Sequence, residues 1–130
     1  MARAYTIATA ALALKVETKW LDNTLSHFLV PGVAQKTQGV ARKLTIESLL
    51  LLSVTILLGQ SLGVPLARAL DLSHRVIGAG GRLSAHPLMD LAVDIQKVRT
   101  ELLDRLETAV EIAPIPRRGR PPKTTTGRLD

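Results

Sequence analysis

Residues 48–67 constrain the fold most strongly, because these 20 consecutive residues carry no charge. An uncharged stretch of this length lies either in a protein core or in a bilayer. Dense apolar character is confined to residues 49–58. Gly59, Gly63 and Pro65 follow, and they disfavour a continuous helix in lipid. We therefore expect a core helix that ends in a turn, and we keep a small single-span membrane protein with a basic tail as the distant alternative.

The charge of the chain is unevenly distributed. Its 130 residues include 17 Lys and Arg and 11 Asp and Glu, which gives a net charge of +6. Residues 1–44 carry six basic and two acidic side chains, residues 84–113 carry three and six, and residues 114–130 carry five and one. A positive balance favours a polyanionic partner, either nucleic acid or an anionic membrane surface. Two separate basic regions would meet a phosphate backbone at two places.

Residue types that many other functions need are missing or scattered. The chain has no cysteine, which excludes thiolate metal sites, disulfides and cysteine nucleophiles. His27, His74 and His86 lack the spacing of a zinc site, and we interpret them as surface or hydrogen-bonded positions. No nucleophile with a base, no acid pair and no phosphate-binding loop is recognisable. We therefore expect no enzyme activity, no metal and no cofactor.

The N-terminal part of the chain shows two short helical patterns in close succession. Residues 6–14 are rich in alanine, with apolar side chains at helical spacing along one face. Residues 17–29 repeat the pattern, with Trp20, Leu21 and Leu25 on the apolar side. Two short helices joined by a tight turn indicate a helix-turn-helix unit.

A wing and the core helix are predicted next. Residues 33–44 contain glycine and irregularly spaced basic residues, which fits a hairpin-like wing better than a helix. Thr45 is a suitable N-cap, and Glu47 would be favoured in the first turn of the helix that follows. We expect this helix to run to about residue 60 and to be followed by a turn at 63–65.

The C-terminal half begins with a glycine-rich segment. Residues 78–81 read Gly-Ala-Gly-Gly, so we expect a linker over 77–84 and a separate helix over 85–113. Within that helix, apolar residues recur at alternating steps of three and four, which is typical of a coiled-coil seam. The seam consists of Leu88, Leu91, Ile95, Val98 and Leu102. It either packs on its own chain or pairs with a second copy in a homodimer.

Residues 16–31 align without gaps with a run that, in one family, leads from a turn through a second helix to a proline. The corresponding positions here and downstream, with Leu44 in place of the family's wing aromatic, are Leu21, Leu29, Val30, Pro31, Gly39, Arg42, Leu44, Thr45, Glu47 and Leu49. Through them, residues 5–72 resemble the winged helix-turn-helix DNA-binding domain of the MerR family and of related excisionase-like regulators. The resemblance implies the fold and DNA binding, while the lack of cysteine argues against the family's thiolate metal sensors.

The resemblance also implies which side chains of the second helix contact DNA. Lys19 stands at the basic position early in the recognition helix, from which a side chain reaches a phosphate or a guanine edge. Thr18, directly before it, is a further candidate contact. Asn23 lies one turn on and could address an adenine, with an ordinary exposed asparagine as the alternative.

The wing in this family contacts the DNA backbone, and here it carries Lys36, Arg42 and Lys43. The resemblance implies that they reach phosphates or the flanking minor groove, and the alternative is a solvated charge cluster. The chain departs from the family elsewhere, because Lys15 replaces the glycine of the first turn. Asp22-Asn23-Thr24-Leu25 likewise replaces an Arg-Tyr-Tyr-Asp stretch. The phosphate contacts of those Arg and Tyr side chains therefore do not carry over.

Residues 116–123 form a short basic motif, Pro116-Arg117-Arg118-Gly119-Arg120-Pro121-Pro122-Lys123. It resembles an AT-hook, whose core is Arg-Gly-Arg-Pro. The narrow minor groove of A·T-rich DNA has an enhanced negative potential that attracts arginine side chains. Glycine lets the backbone approach the groove floor, and the prolines hold the strand extended. We expect minor-groove contacts from Arg117, Arg118, Gly119, Arg120 and Lys123, with a solubilising tail or a basic targeting signal as alternatives.

The sequence as a whole predicts a mainly α protein. We expect a winged helix-turn-helix domain over 1–76, the linker, the long amphipathic helix over 85–113 and a disordered basic tail over 114–130. The expected function is transcriptional regulation through double-stranded DNA, preferably A·T-rich, in the cytoplasm and associated with the nucleoid. A nucleoid-associated or excisionase-like architectural protein is the nearest alternative, and no membrane partner is expected.

Overall fold

The computed structural model describes residues 4–31, 33 and 42–112. This part of the chain is mainly helical, as the sequence predicted, with five helices and two small antiparallel sheets. In chain order the elements are β1 (Ala4–Thr6), α1 (Ile7–Leu14), α2 (Thr18–His27), β2 (Lys43–Thr45), α3 (Ile46–Leu62), α4 (Leu66–Gly78), β3 (Arg82–His86), β4 (Met89–Ala92) and α5 (Ile95–Ile112).

The first of the two predicted N-terminal helices, α1, is short and alanine-rich. It begins after Thr6, whose Oγ1 accepts a hydrogen bond from the backbone N–H of Thr9 at 3.2 Å. This bond satisfies one of the N–H groups that the first turn of a helix leaves without a partner. Ala10 and Ala13 are fully buried. Because their side chains are small, the backbone of α1 can approach its neighbours closely, and α5 packs along it.

A short strand that the sequence did not reveal, β1, precedes α1. It pairs antiparallel with β2, and the buried residues Tyr5 and Leu44 face each other in this pairing. Leu44 also forms an isolated antiparallel bridge with Val33. Of the residues predicted to form the wing, 33–44, the structure describes Val33 in this bridge, Arg42, and Lys43 and Leu44 of β2. Residues 34–41 lie outside the described residues.

The uncharged stretch forms the central helix of the core, α3. Thr45 is its N-cap, as predicted, and its Oγ1 accepts a hydrogen bond from the Ser48 N–H at 3.3 Å. Ser48 Oγ in turn accepts from the Thr45 N–H at 2.8 Å. Leu49, Leu52 and Val54 are fully buried on different sides of the helix. A helix that is apolar on most sides needs neighbours on most sides, and α1, α4 and α5 all contact α3.

The end of α3 matches the predicted turn. Gly63 has a φ angle of +69°, in the left-handed region that favours glycine, and its N–H donates to the Gly59 carbonyl oxygen at 3.0 Å. α4 then runs back along α3 and buries Ala69, Ser73 and Val76, which lie on one face of the helix. Across the described ranges, no helix combines the length and the apolar character that crossing a membrane requires.

The glycine-rich segment is a folded turn, which corrects the linker predicted over 77–84. Gly78 is the last residue of α4, and β3 begins at Arg82. Gly80 and Gly81 have positive φ angles of 79° and 106°. The carbonyl oxygen of Gly81, a buried residue, accepts a hydrogen bond from the Val93 N–H at 2.7 Å. These glycines therefore close a tight connection between packed elements.

The helix predicted over 85–113 begins only at Ile95, because the residues before it form an antiparallel hairpin of β3 and β4. In β3, Leu83 and Ala85 are partly buried, whereas Arg82, Ser84 and His86 are exposed. This alternation with a period of two is typical of a strand. Pro87 lies in the turn of the hairpin. Apolar residues spaced three and four apart also occur in the hairpin, and for this reason the predicted helix began ten residues too early.

The predicted coiled-coil seam is divided between the hairpin and α5. Leu102 is fully buried, and Ile95 and Val98 are partly buried against the core of the same chain. Leu91 is partly buried in the cluster between the hairpin, α3 and α4. Leu88 lies at the turn of the hairpin and is 90% exposed. Four of the five seam residues thus pack within the chain and do not form a continuous stripe for a second copy.

Candidate nucleic-acid interface

The connection between α1 and α2 consists of residues 15–17. Lys15 adopts the left-handed conformation, with φ 59° and ψ 44°. Its N–H donates to the Leu12 carbonyl oxygen at 3.2 Å, and the Val16 N–H donates to the Ala11 carbonyl oxygen at 3.0 Å. Together these bonds satisfy carbonyl groups at the end of α1 and turn the chain sharply into α2. The position at which the resembled family has glycine is therefore one where the backbone favours glycine.

The second helix, α2, has one buried side and one polar side. Leu21, Thr24 and Leu25 are buried, as the spacing predicted. The residues that α2 exposes are Thr18, Lys19, Asn23, Ser26 and His27. The three predicted contacts in α2 are thus all exposed, and Lys19 and Asn23 lie one turn apart on the same face.

Several polar atoms on this face are already bonded within α2. Ser26 Oγ donates to the Asp22 carbonyl oxygen at 2.9 Å, and His27 Nδ1 lies 2.8 Å from the Asn23 carbonyl oxygen. Such bonds within a helix restrict the rotamers of the two side chains. Ser26 and His27 were not among the predicted contacts, although they follow Asn23 by three and four residues, a spacing that places both on the exposed side.

Arg42, one of the predicted phosphate contacts, is paired within the chain. Its Nη1 lies 2.8 Å from Asp22 Oδ1 and 3.3 Å from the Asp22 carbonyl oxygen. The Arg42 side chain is only 10% exposed. A buried guanidinium needs an anionic partner, and Asp22 supplies it. The sequence could not reveal this pair, because 20 residues separate its members.

Lys43 is more exposed than Arg42, the residue before it. It is exposed at the start of β2, whereas Leu44 is buried. Successive side chains of a strand point to opposite faces, so Lys43 points away from the core that Leu44 enters. Lys36 and the motif residues Arg117, Arg118, Gly119, Arg120 and Lys123 lie outside the described residues.

A cleft of about 560 Å³ lies between the α1–α2 connection, α2, α3 and α4. Trp20, the only tryptophan, lines it together with Ile56 of α3 and Leu66 of α4. Lys15 and Glu17 from the turn also border it. Among the residues that the structure describes, no three His, Asp or Glu side chains are grouped so that they could hold a metal ion.

Comparison of the chain with models of protein families, with curated proteins and with solved structures finds no match. The first five described elements along the chain are β1, α1, α2, β2 and α3. The function of the chain is therefore inferred from this arrangement and from the side chains that α2 and β2 present.

Proposed function

We propose that the chain is a DNA-binding protein that places α2 in the major groove, and that it acts as a transcriptional regulator. The observation that carries the proposal is the α1-turn-α2 unit, in which α2 is anchored by Leu21 and Leu25 and presents a polar outer face. A recognition helix needs both properties, because its inner face must be fixed while its outer face approaches base edges.

The dimensions and chemistry of α2 support this role. Its 10 residues correspond to a rod of about 15 Å, and a major groove about 12 Å wide admits a helix. Residues near the N-terminus of a recognition helix contact base edges in helix-turn-helix proteins. In α2 these are Thr18 and Lys19, and Asn23 follows one turn after Lys19. The three side chains offer a hydroxyl, an ammonium and an amide group.

The basic tail supports binding at a second place. Lys19 is the only Lys or Arg of α2, and Arg42 is paired with Asp22, so α2 by itself offers little positive charge. The Arg118-Gly119-Arg120-Pro121 sequence would add contacts in an A·T-rich minor groove. Two linked contacts raise the effective concentration of each other at the same site.

The major-groove contact is tested by measuring fluorescence anisotropy of labelled duplexes with the full chain and with Lys19→Gln. The matched control is Lys97→Gln, which removes an exposed lysine from α5. We expect Lys19→Gln to weaken binding and to reduce the slope of log affinity against log salt by about one, whereas Lys97→Gln changes neither. Equal effects of both variants would mean that only net charge matters, and a full chain that binds no duplex at low salt would refute the proposal.

The minor-groove contact is tested with a chain that ends at residue 114 and with Arg118→Ala. The full chain should bind A·T-rich duplexes more tightly than G·C-rich duplexes, and both changes should reduce this preference. Arg128→Ala is a matched control, because it removes one arginine of the same tail outside the motif. A preference that survives truncation would contradict the role of the tail.

An architectural role is the second candidate, and the single cation of α2 is the observation that favours it. A helix with few long side chains makes few direct base contacts, so binding would depend more on the shape and deformability of DNA. Gel mobility of duplexes with the binding site at the centre or at the end separates the two roles. Strong position dependence indicates a bend and supports the architectural role, whereas no position dependence supports a regulator that reads sequence.

A further inference from the structure

Asp22 stands out on α2 because it is a carboxylate on a helix that is proposed to approach a polyanion. Its side chain is 46% exposed. Lys19 precedes it by three residues and Ser26 follows it by four, so all three belong to the same side of the helix. An acidic residue at this place needs an explanation, because uncompensated negative charge opposes binding to phosphates.

Arg42 compensates and fixes that carboxylate. Its guanidinium contacts both Oδ1 and the carbonyl oxygen of Asp22, at 2.8 and 3.3 Å. Because Arg42 is nearly buried, it cannot follow Asp22 to another position, and the carboxylate is held in one orientation. A side chain held by a supporting residue loses less conformational entropy when it binds a partner.

The chemistry of a fixed carboxylate restricts what it can recognise. An ionised carboxylate only accepts hydrogen bonds, so it needs a donor. In the major groove the base donors are the N4 amino group of cytosine and the N6 amino group of adenine. Adenine presents the N7 acceptor beside its amino group, which a carboxylate cannot satisfy, whereas cytosine presents no acceptor of its own there.

We propose that Asp22 determines sequence specificity by accepting a hydrogen bond from the N4 amino group of a cytosine, while Arg42 positions its carboxylate. This inference rests on the proposed DNA binding through α2. The competing explanation is that Asp22 serves only to neutralise the buried Arg42.

The two explanations are separated by selecting bound sites from a random duplex library with the full chain and with three variants. The wild type should enrich cytosine at one position, by about five- to tenfold over other bases. Asp22→Ala should lose that preference. Asp22→Asn should change it to adenine, because an asparagine amide pairs with both N6 and N7 of adenine. Arg42→Met, which keeps much of the apolar volume, should bind more weakly but still prefer cytosine.

Each result decides the matter. If Asp22→Asn and Asp22→Ala give the same base preference as the wild type, Asp22 reads no base. If Asp22→Asn behaves as Asp22→Ala and loses the preference without a change to adenine, Asp22 acts only through Arg42. This comparison remains valid even if Arg42→Met does not fold. A wild type that binds duplexes without enriching any base overturns this inference alone, whereas a wild type that binds no duplex overturns the proposed function as well.

Discussion

Thr55 Oγ1 on α3 lies 3.1 Å from Ser73 Oγ on α4, and both residues are buried. Thr55 Oγ1 also lies 2.8 Å from the Leu51 carbonyl oxygen, which can only accept. A hydroxyl has one hydrogen, so Thr55 shares it between the carbonyl oxygen of Leu51 and the Oγ of Ser73. The bond to Ser73 links the two helices that form the centre of the core, and Thr55 has a second acceptor within α3.

The second acceptor of Thr55 makes the two single substitutions unequal. Thr55→Val removes the hydroxyl that donates to Ser73 and leaves the buried Ser73 Oγ without this partner, so it should lower the free energy of unfolding by about 2 kcal/mol. Ser73→Ala leaves Thr55 bonded to Leu51 and should cost about 1 kcal/mol or less. Adding Ser73→Ala to Thr55→Val should not lower the free energy of unfolding further, because the double variant no longer contains the buried Ser73 hydroxyl that lost its partner. Urea unfolding of the four proteins measures the cycle, with Thr24→Val as a control because Thr24 bonds only within α2. Additive costs would contradict a hydrogen bond between the two hydroxyls.

The left-handed backbone of Lys15 predicts that glycine is the better residue there. Lys15→Gly should raise the free energy of unfolding by about 0.5 kcal/mol, since relief of the left-handed strain outweighs the added freedom of the unfolded chain. Lys15→Ala keeps the strain and should stay close to the wild type. Thermal unfolding of the three proteins checks this, and a Lys15→Gly protein that melts below Lys15→Ala would show that the turn is not left-handed.

The N-cap of α3 gives a prediction with a conservative control. Thr45→Val keeps the size of the side chain but removes the oxygen that accepts from Ser48, and it should cost about 1 kcal/mol of stability. Thr45→Ser retains the oxygen and should change stability much less. Denaturant unfolding measures the difference, and the slope of the unfolding free energy against denaturant concentration should be the same for all proteins. If the two variants unfold alike, the hydroxyl does not cap the helix.

Helix ends were the part of the fold that the sequence predicted best. The cap at Thr45 and the turn at Gly63 each depend on a residue type with a local reason to stand there, and both are present as expected. The buried side of α2 was likewise predictable, because the spacing of Leu21 and Leu25 is a property of a single helix. Local chemistry and helical periodicity therefore carried most of the correct prediction.

The hairpin and the Arg42 pair were not predictable in the same way. Leu88 and Leu91 matched a helical seam, although the partly buried Leu83 and Ala85 already alternated as in a strand. The ion pair between Arg42 and Asp22 depends on how the segment before β2 is brought next to α2, which no local pattern encodes. A basic residue in a predicted wing is therefore a poor guide to a DNA contact until its neighbours are known.

The turn from α4 to β3 provides the sharpest distinction between a linker and a folded connection. A Cβ at Gly81 would lie 2.7 Å from the Val93 carbonyl oxygen, whereas a Cβ at Gly80 would meet nothing within 4 Å. Both glycines have positive φ, so both alanine substitutions add backbone strain.

Because only Gly81→Ala adds a clash with backbone, we expect it to lower the free energy of unfolding by roughly 3 kcal/mol and Gly80→Ala by about 1 kcal/mol. Gly78→Ala is the control, since Gly78 is helical and has open space around it, and it should be neutral or slightly stabilising. Urea unfolding of the three variants gives the order directly. If residues 78–81 were a flexible linker, all three would unfold within about 0.5 kcal/mol of the wild type, because strain at one position would relax along the segment.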